Sequence, residues 1–180
     1  MGYTHSWGWA QALPYSERFP LWSIDVAQLL ACYQQNPPPN PWSEEPWFKV
    51  RPDLIGTWDI TICGPFGFDL PIIRPDFVAF NGNRASENNC ESFLIDACSL
   101  SHGHLSTCKT WGKPYDLLAT AALIRFKHYF PAVAIHCGGG VEGLDDAAHL
   151  CRVAFGQGRN PLRDAAYCRH VDRFFEVRSA

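Results

Sequence analysis

Cys108, Lys109 and Lys113 stand just ahead of Pro114-Tyr115-Asp116, where a turn feeds a long apolar segment. Those types at that spacing suit thiol chemistry. A thiol at the mouth of a helix feels the positive end of the macrodipole, and ammonium groups beside it act in the same sense, so a nucleophilic thiolate forms more readily. His5 is the histidine best placed to act as base or orienter. Asp116 can fix an imidazole or move a proton itself. The catalytic candidates are therefore His5, Cys108, Lys113 and Asp116. Trp7, Trp111 and Tyr115 would wall an aromatic pocket, and Asn81 and Glu91, at strand ends, would add polar groups to bind substrate. The plainer alternative makes Cys108 a buried strand thiol, Asp116 a helix-start residue paired with Lys113, and His5 a core histidine satisfied by its neighbours.

Two further patterns carry chemistry of other kinds. Cys98, His102, His104 and Cys108 supply the ligand types of a tetrahedral zinc shell, but their spacing matches no common finger, so incidental loop histidines are the first expectation and no metal is assigned. Gly138-x-Gly140-x-x-Gly143 follows a strand pattern and precedes a helix pattern, as a dinucleotide fingerprint does. Too little chain follows Gly143 for the second parallel strand such a fold requires, which favours a turn.

The elements that must position these groups follow from periodicity. Tyr3, His5 and Trp7 alternate with Thr4 and Ser6 as a strand with one aromatic face. Val26, Leu29, Leu30 and Tyr33 mark a helix over 22–35, with Ser23 as cap and Asp25 in its first turn. Asn36-Pro37-Pro38-Pro39-Asn40-Pro41 stops it and opens a surface excursion over about 36–47. Further strands are expected over Trp58–Cys63, Asp76–Phe80 (ended by the turn dipeptide Asn81-Gly82), Cys90–Asp96, Leu105–Thr110 and Ala132–Cys137. Pro114 suits the first position of a helix that runs to Phe130, is apolar nearly all round, and ends on Lys127, His128 and Pro131. Leu144–Phe155 reads as another helix, and Asp164–Val177 as helix or strand. Short strands adjacent in sequence, followed by helices, predict an α+β single domain over 1–180: an antiparallel sheet of five or six strands with two to four helices on one face.

Composition narrows the function classes. The 180 residues are enough for one self-sufficient core. A net charge of −3, with the 15 Lys and Arg scattered, argues against a nucleic-acid partner. The opening residues lack the charged and apolar regions of a signal peptide, and no apolar stretch is long enough to span a membrane, so a cytoplasmic chain is expected. Its eight cysteines then read as reduced thiols. Gly2 and Ser6 meet the bare myristoylation pattern, without the second signal that stable anchoring takes.

Met1-Gly2-Tyr3-Thr4-His5-x-Trp7, Phe80-Asn81-Gly82, Cys90-Glu91-Ser92-Phe93, Cys108-Lys109-Thr110-x-x-Lys113-Pro114-Tyr115-Asp116 and Lys127-His128-Tyr129 together resemble a family of small uncharacterised proteins that begin Met-Gly-Tyr-Thr-His-Tyr-Trp. The resemblance runs from residue 1 to about 156 and implies that these blocks form one structural unit. It brings no activity with it. Two departures stand out: Ser6 replaces a Tyr, and Cys137-Gly138-Gly139 replaces a Ser-Asp-Gly turn.

The sequence thus leads to a small-molecule enzyme working by acid/base or thiol chemistry without a redox cofactor. Its alternative is a non-catalytic protein that binds a ligand or assembles as a homo-oligomer.

Overall fold

The computed structural model describes residues 3–13, 18–38, 58–138 and 140–156. Most of the Pro-rich excursion, and the expected element over Asp164–Val177, lie outside the described residues. In chain order the elements are β1 (Thr4–Trp9), α1 (Arg18–Gln35), β2 (Ile62–Cys63), β3 (Ile72–Arg74), β4 (Phe77–Gly82), β5 (Phe93–Asp96), a 3-10 turn over Ala97–Ser101, β6 (His104–Lys109), α2 (Asp116–Tyr129), β7 (Ala134–Cys137) and α3 (Gly140–Phe155). The protein is α+β and its sheets are antiparallel, as the patterning implies. The strands divide between two sheets rather than forming one.

The first sheet has β1 at its centre, in the order β6-β1-β7. Its register sets His5 opposite Cys108 on one side and opposite Cys137 on the other. In the second sheet β4 is central: β3 and β5 pair with its first half and β2 with Asn81 and Gly82 at its end. The sheets meet through aromatic rings. Trp7 of β1 lies 5.3 Å from Phe93 of β5, which stacks on Phe80 of β4 at 4.7 Å.

Two expected strands came out differently, for local reasons. Within Trp58–Cys63 only Ile62 and Cys63 pair, because the Asp59 carboxylate accepts the Thr61 N–H at 2.8 Å, offering the backbone a turn in place of a ladder. Asn81-Gly82 does not turn the chain but continues β4. A Cβ at Gly82 would stand 1.9 Å from the Asn88 carbonyl oxygen, so glycine is there for close approach.

α1 begins at Arg18 rather than residue 22, and Ser23 bonds inside it to the Pro20 carbonyl at 2.8 Å. Proline is tolerated in a first turn, and the earlier start buries Phe19 and Trp22 completely. Trp22 donates to the Ala122 carbonyl at 3.0 Å, and its ring meets Phe126 edge-on at 4.9 Å. α2 is buried from Leu118 to Ile124. Leu123, on its otherwise polar side, is fully covered too. Each such Leu or Ile contributes about 1.5–3 kcal/mol. Asp25 of α1 accepts from Arg125 of α2 at 2.7 Å, and the same guanidinium sits 4.4 Å over the Phe155 ring of α3, so one planar cation joins three helices. No helix among the described residues is long and apolar enough to cross a membrane.

β7 hands over to α3 through Gly138, whose N–H donates to the Thr4 carbonyl at 3.0 Å. A Cβ there would sit 2.8 Å from both the N and the O of Thr4. Gly138→Ala should therefore lower stability by about 1–3 kcal/mol, read from the urea midpoint. Gly143→Ala is the control: nothing lies within 4 Å of its Cβ position in α3, and helix propensity should raise stability by up to about 1 kcal/mol.

Candidate functional site

β1, the loop after β6, the first residue of α2 and the end of β7 converge on one imidazole. His5 is fully buried, and its Nε2 lies 2.7 Å from Asp116 Oδ1. Thr110 donates its hydroxyl to the same carboxylate oxygen through a very short bond, and stands 3.4 Å from His5 Nε2. Local structure explains the convergence. Asp116 opens α2, where a carboxylate meets unpaired N–H groups and the positive end of the dipole. Thr110 and Trp111 both donate their backbone N–H to the Tyr3 carbonyl, at 3.0 and 3.1 Å, which fastens this loop to the start of β1.

The other side of the ring is different. His5 Nδ1 is buried without a hydrogen-bond partner. Cys137, half-buried, faces His5 across the β1–β7 pair, and antiparallel partners project from the same sheet face. Its contact with the imidazole falls short of a formed hydrogen bond. Burial opposes a charge on His5, yet the bond to Asp116, the polar contact with Cys137 and the negative charge each can carry outweigh it and lift the His5 pKa to about 10. Charge and geometry agree: this imidazole is built to hold a proton.

The structure brings His5 and Asp116 together and separates the remaining candidates from them. Cys108 is also a cross-strand neighbour of His5, but its thiol is fully buried and turned to the Glu91 carbonyl at 3.4 Å. Burial first, then the carboxylates of Glu91 and Asp116, push its pKa far above the usual thiol range. The expected activation fails because the ammonium groups are engaged elsewhere: Lys113 Nζ donates to the Glu87 carbonyl at 2.7 Å, and Lys109 Nζ lies 5.2 Å over the Trp111 ring. Trp7 is core, and so is Tyr115, whose hydroxyl donates to the Glu91 carbonyl at 2.7 Å. Asn81 is buried and ties loops together by donating to the carbonyls of Pro65 and Cys90. Glu91 accepts the Lys109 N–H at 2.7 Å, bracing β6.

Trp111 alone of the expected aromatic walls is open, at 60 % exposure, and it holds a left-handed φ of 59°. For a bulky residue that conformation costs about 1–3 kcal/mol and persists where surroundings impose it, often beside functional sites. The two residues that sequence reasoning left out of the site are Thr110 and Cys137. Thr110 lay within the Cys-Lys-Thr block. Cys137 gave a signal, a thiol ending a strand before a glycine run, but its place depends on strand register.

The four zinc candidates do not meet. Cys98 is exposed on the 3-10 turn, Cys108 is buried within β6, and the rings of His102 and His104 are 6.5 Å apart. Among the described residues no group of three or more His, Cys, Asp or Glu is placed to hold a metal ion. The glycine pattern at 138–143 leads from an antiparallel strand into α3, and Gly138 is accounted for by its contact with Thr4.

Comparison with protein-family models, with curated proteins and with solved structures finds no match.

A folded-state pKa raised above 6.5 means that His5 contributes stability in full below about pH 6.5, and that this contribution drains away as pH rises through about 10. Lys127, lowered to about 8 by burial, acts in the opposite sense and only above that pH. Between pH 6.5 and 8 unfolding free energy should therefore fall by up to about 2 kcal/mol, and His5→Gln should flatten that slope, as urea titrations at the two pH values would show.

Proposed function

We propose that this chain is an enzyme that acts on a small molecule by proton transfer at His5, with thiol chemistry beside it and no redox cofactor. One observation carries the reading: a buried imidazole is gripped at Nε2 by Asp116 while its Nδ1 is left without a partner. A buried polar atom left unsatisfied costs about 1–3 kcal/mol, and sites that do chemistry are where such costs are met with. Asp116 and Thr110 are the orienting groups. They fix which nitrogen holds a proton and which exchanges it, the division of labour that general acid–base catalysis requires. The open Trp111 supplies the aromatic surface against which a small substrate would lie. A cytoplasmic setting, with neither nucleic acid nor membrane as partner, fits the composition.

A second reading is favoured by the complete burial of His5. Here the same network is a brace joining β1, β6 and the start of α2, and the protein binds a ligand or assembles with copies of itself without turning anything over. The two readings differ in what a conservative change removes.

A panel of small esters, thioesters, amides and phosphate esters would be assayed with the wild-type chain and with His5→Gln and Asp116→Asn. The expected result is turnover of one class that falls about 10²–10⁴-fold in both variants, with far-UV spectra unchanged. A brace would show no turnover and a loss of about 3–5 kcal/mol in either variant, because a buried charge is left unpaired. Turnover that survives both substitutions would end the enzymatic assignment to His5.

A further inference from the structure

We propose that Cys137 is the nucleophile of this site, attacking the carbonyl carbon of a small carboxylic ester or thioester to give a covalent acyl-cysteine. The inference rests on the acid–base reading above and adds to it the reacting atom and the substrate class.

Of the two cysteines that flank His5 across the sheet, Cys108 is sealed in the core and bonded to a carbonyl, whereas Cys137 is partly open. The buried, unpartnered Nδ1 of His5 belongs to the ring directly opposite Cys137 in register. Asp116 holds the far nitrogen. Thiol, imidazole and carboxylate thus lie in the order that activates a nucleophile, with the base itself oriented by a third group. Cys137 also ends a strand, and α3 begins at Gly140, three residues on and so within about 11 Å along the chain. The first N–H groups of that sixteen-residue helix have no intrahelical partner and point toward its N-terminus, where negative charge is favoured.

The step balances without an outside oxidant or reductant. Attack starts from the pair in which His5 holds the proton that Cys137 has released: the thiolate sulfur forms a bond to the carbonyl carbon while the carbonyl pair moves onto oxygen. Collapse of that intermediate expels the alcohol or thiol, which takes the proton from His5 and leaves a thioester on Cys137. Water then attacks, losing its proton to His5. The second intermediate releases the carboxylic acid and restores the thiolate beside protonated His5.

The test uses the full chain and p-nitrophenyl acetate, with rapid quench, intact-mass measurement and peptide mapping. The expected result is one acetyl group on Cys137, absent in Cys137→Ser and formed at least tenfold more slowly in His5→Gln. Iodoacetamide at neutral pH should likewise modify Cys137 at least tenfold faster than Cys98, the exposed thiol remote from His5. An adduct that maps to Lys127 or Cys98, or Cys137 alkylation no faster than that of Cys98, overturns the proposal. Should Cys137→Ser keep any turnover that His5→Gln loses, the nucleophile is wrong while the acid–base reading stands. If both variants retain turnover, the two fall together.

Discussion

The Asp116 carboxylate against the His5 imidazole is the contact on which the rest of this structure turns. It is a polar pair set into an apolar core, and burying either group alone would cost several kcal/mol. Together they are tolerated because each supplies what the other lacks, and because Thr110 and the start of α2 satisfy the carboxylate further. The consequence is positional. β1 cannot shift in register without stranding the imidazole, and α2 cannot rotate without withdrawing the carboxylate. The arrangement of β6 and β7 about β1, and hence the placement of both flanking thiols, follows from that single pair.

The helices obey a different logic. α1, α2 and α3 are joined by aromatic edges and by Arg125, which bonds Asp25 and covers Phe155. None of this touches His5, yet it holds Asp116 still, because α2 is clamped along most of its length. A site built from a strand, a loop and a helix start needs such a clamp: a displacement of 1 Å in one member would undo the geometry. Trp111 shows the opposite condition, a side chain kept outward at a backbone angle it does not prefer, by two N–H bonds to the Tyr3 carbonyl.

Much of the architecture was legible in the chain. Alternation gave the strand that carries His5 and Trp7, and the apolar run after Asp116 gave a buried helix expected to reach Phe130, one residue past its end at Tyr129, since periodicity and end signals there agreed. Strand ends were read less well where side chains compete with the backbone: Asp59 withdraws residues from a ladder, and Gly82 turned out to serve a close approach rather than a bend. The site was legible in part. His5 and Asp116 could be singled out by type and position, whereas Cys108 and Cys137 each fall in an expected strand and face opposite edges of β1. Sequence proximity to Lys109 and Lys113 singled out Cys108, whose burial is a property of the whole fold. Trp7 and Tyr115 misled for the same reason, because an aromatic ring fills a core as readily as it lines a cleft.

β1 holds the centre of its sheet, and its partner β7 is made about 130 residues after it. At ribosomal rates of about 5–20 residues per second, an aromatic strand with both edges unpaired waits roughly 6–26 s for its neighbours. Closing so long a loop is also entropically costly, which slows the β1–β7 pairing. Until its neighbours arrive, Thr4–Trp9 presents unpaired strand edges, the condition under which a strand pairs with another chain.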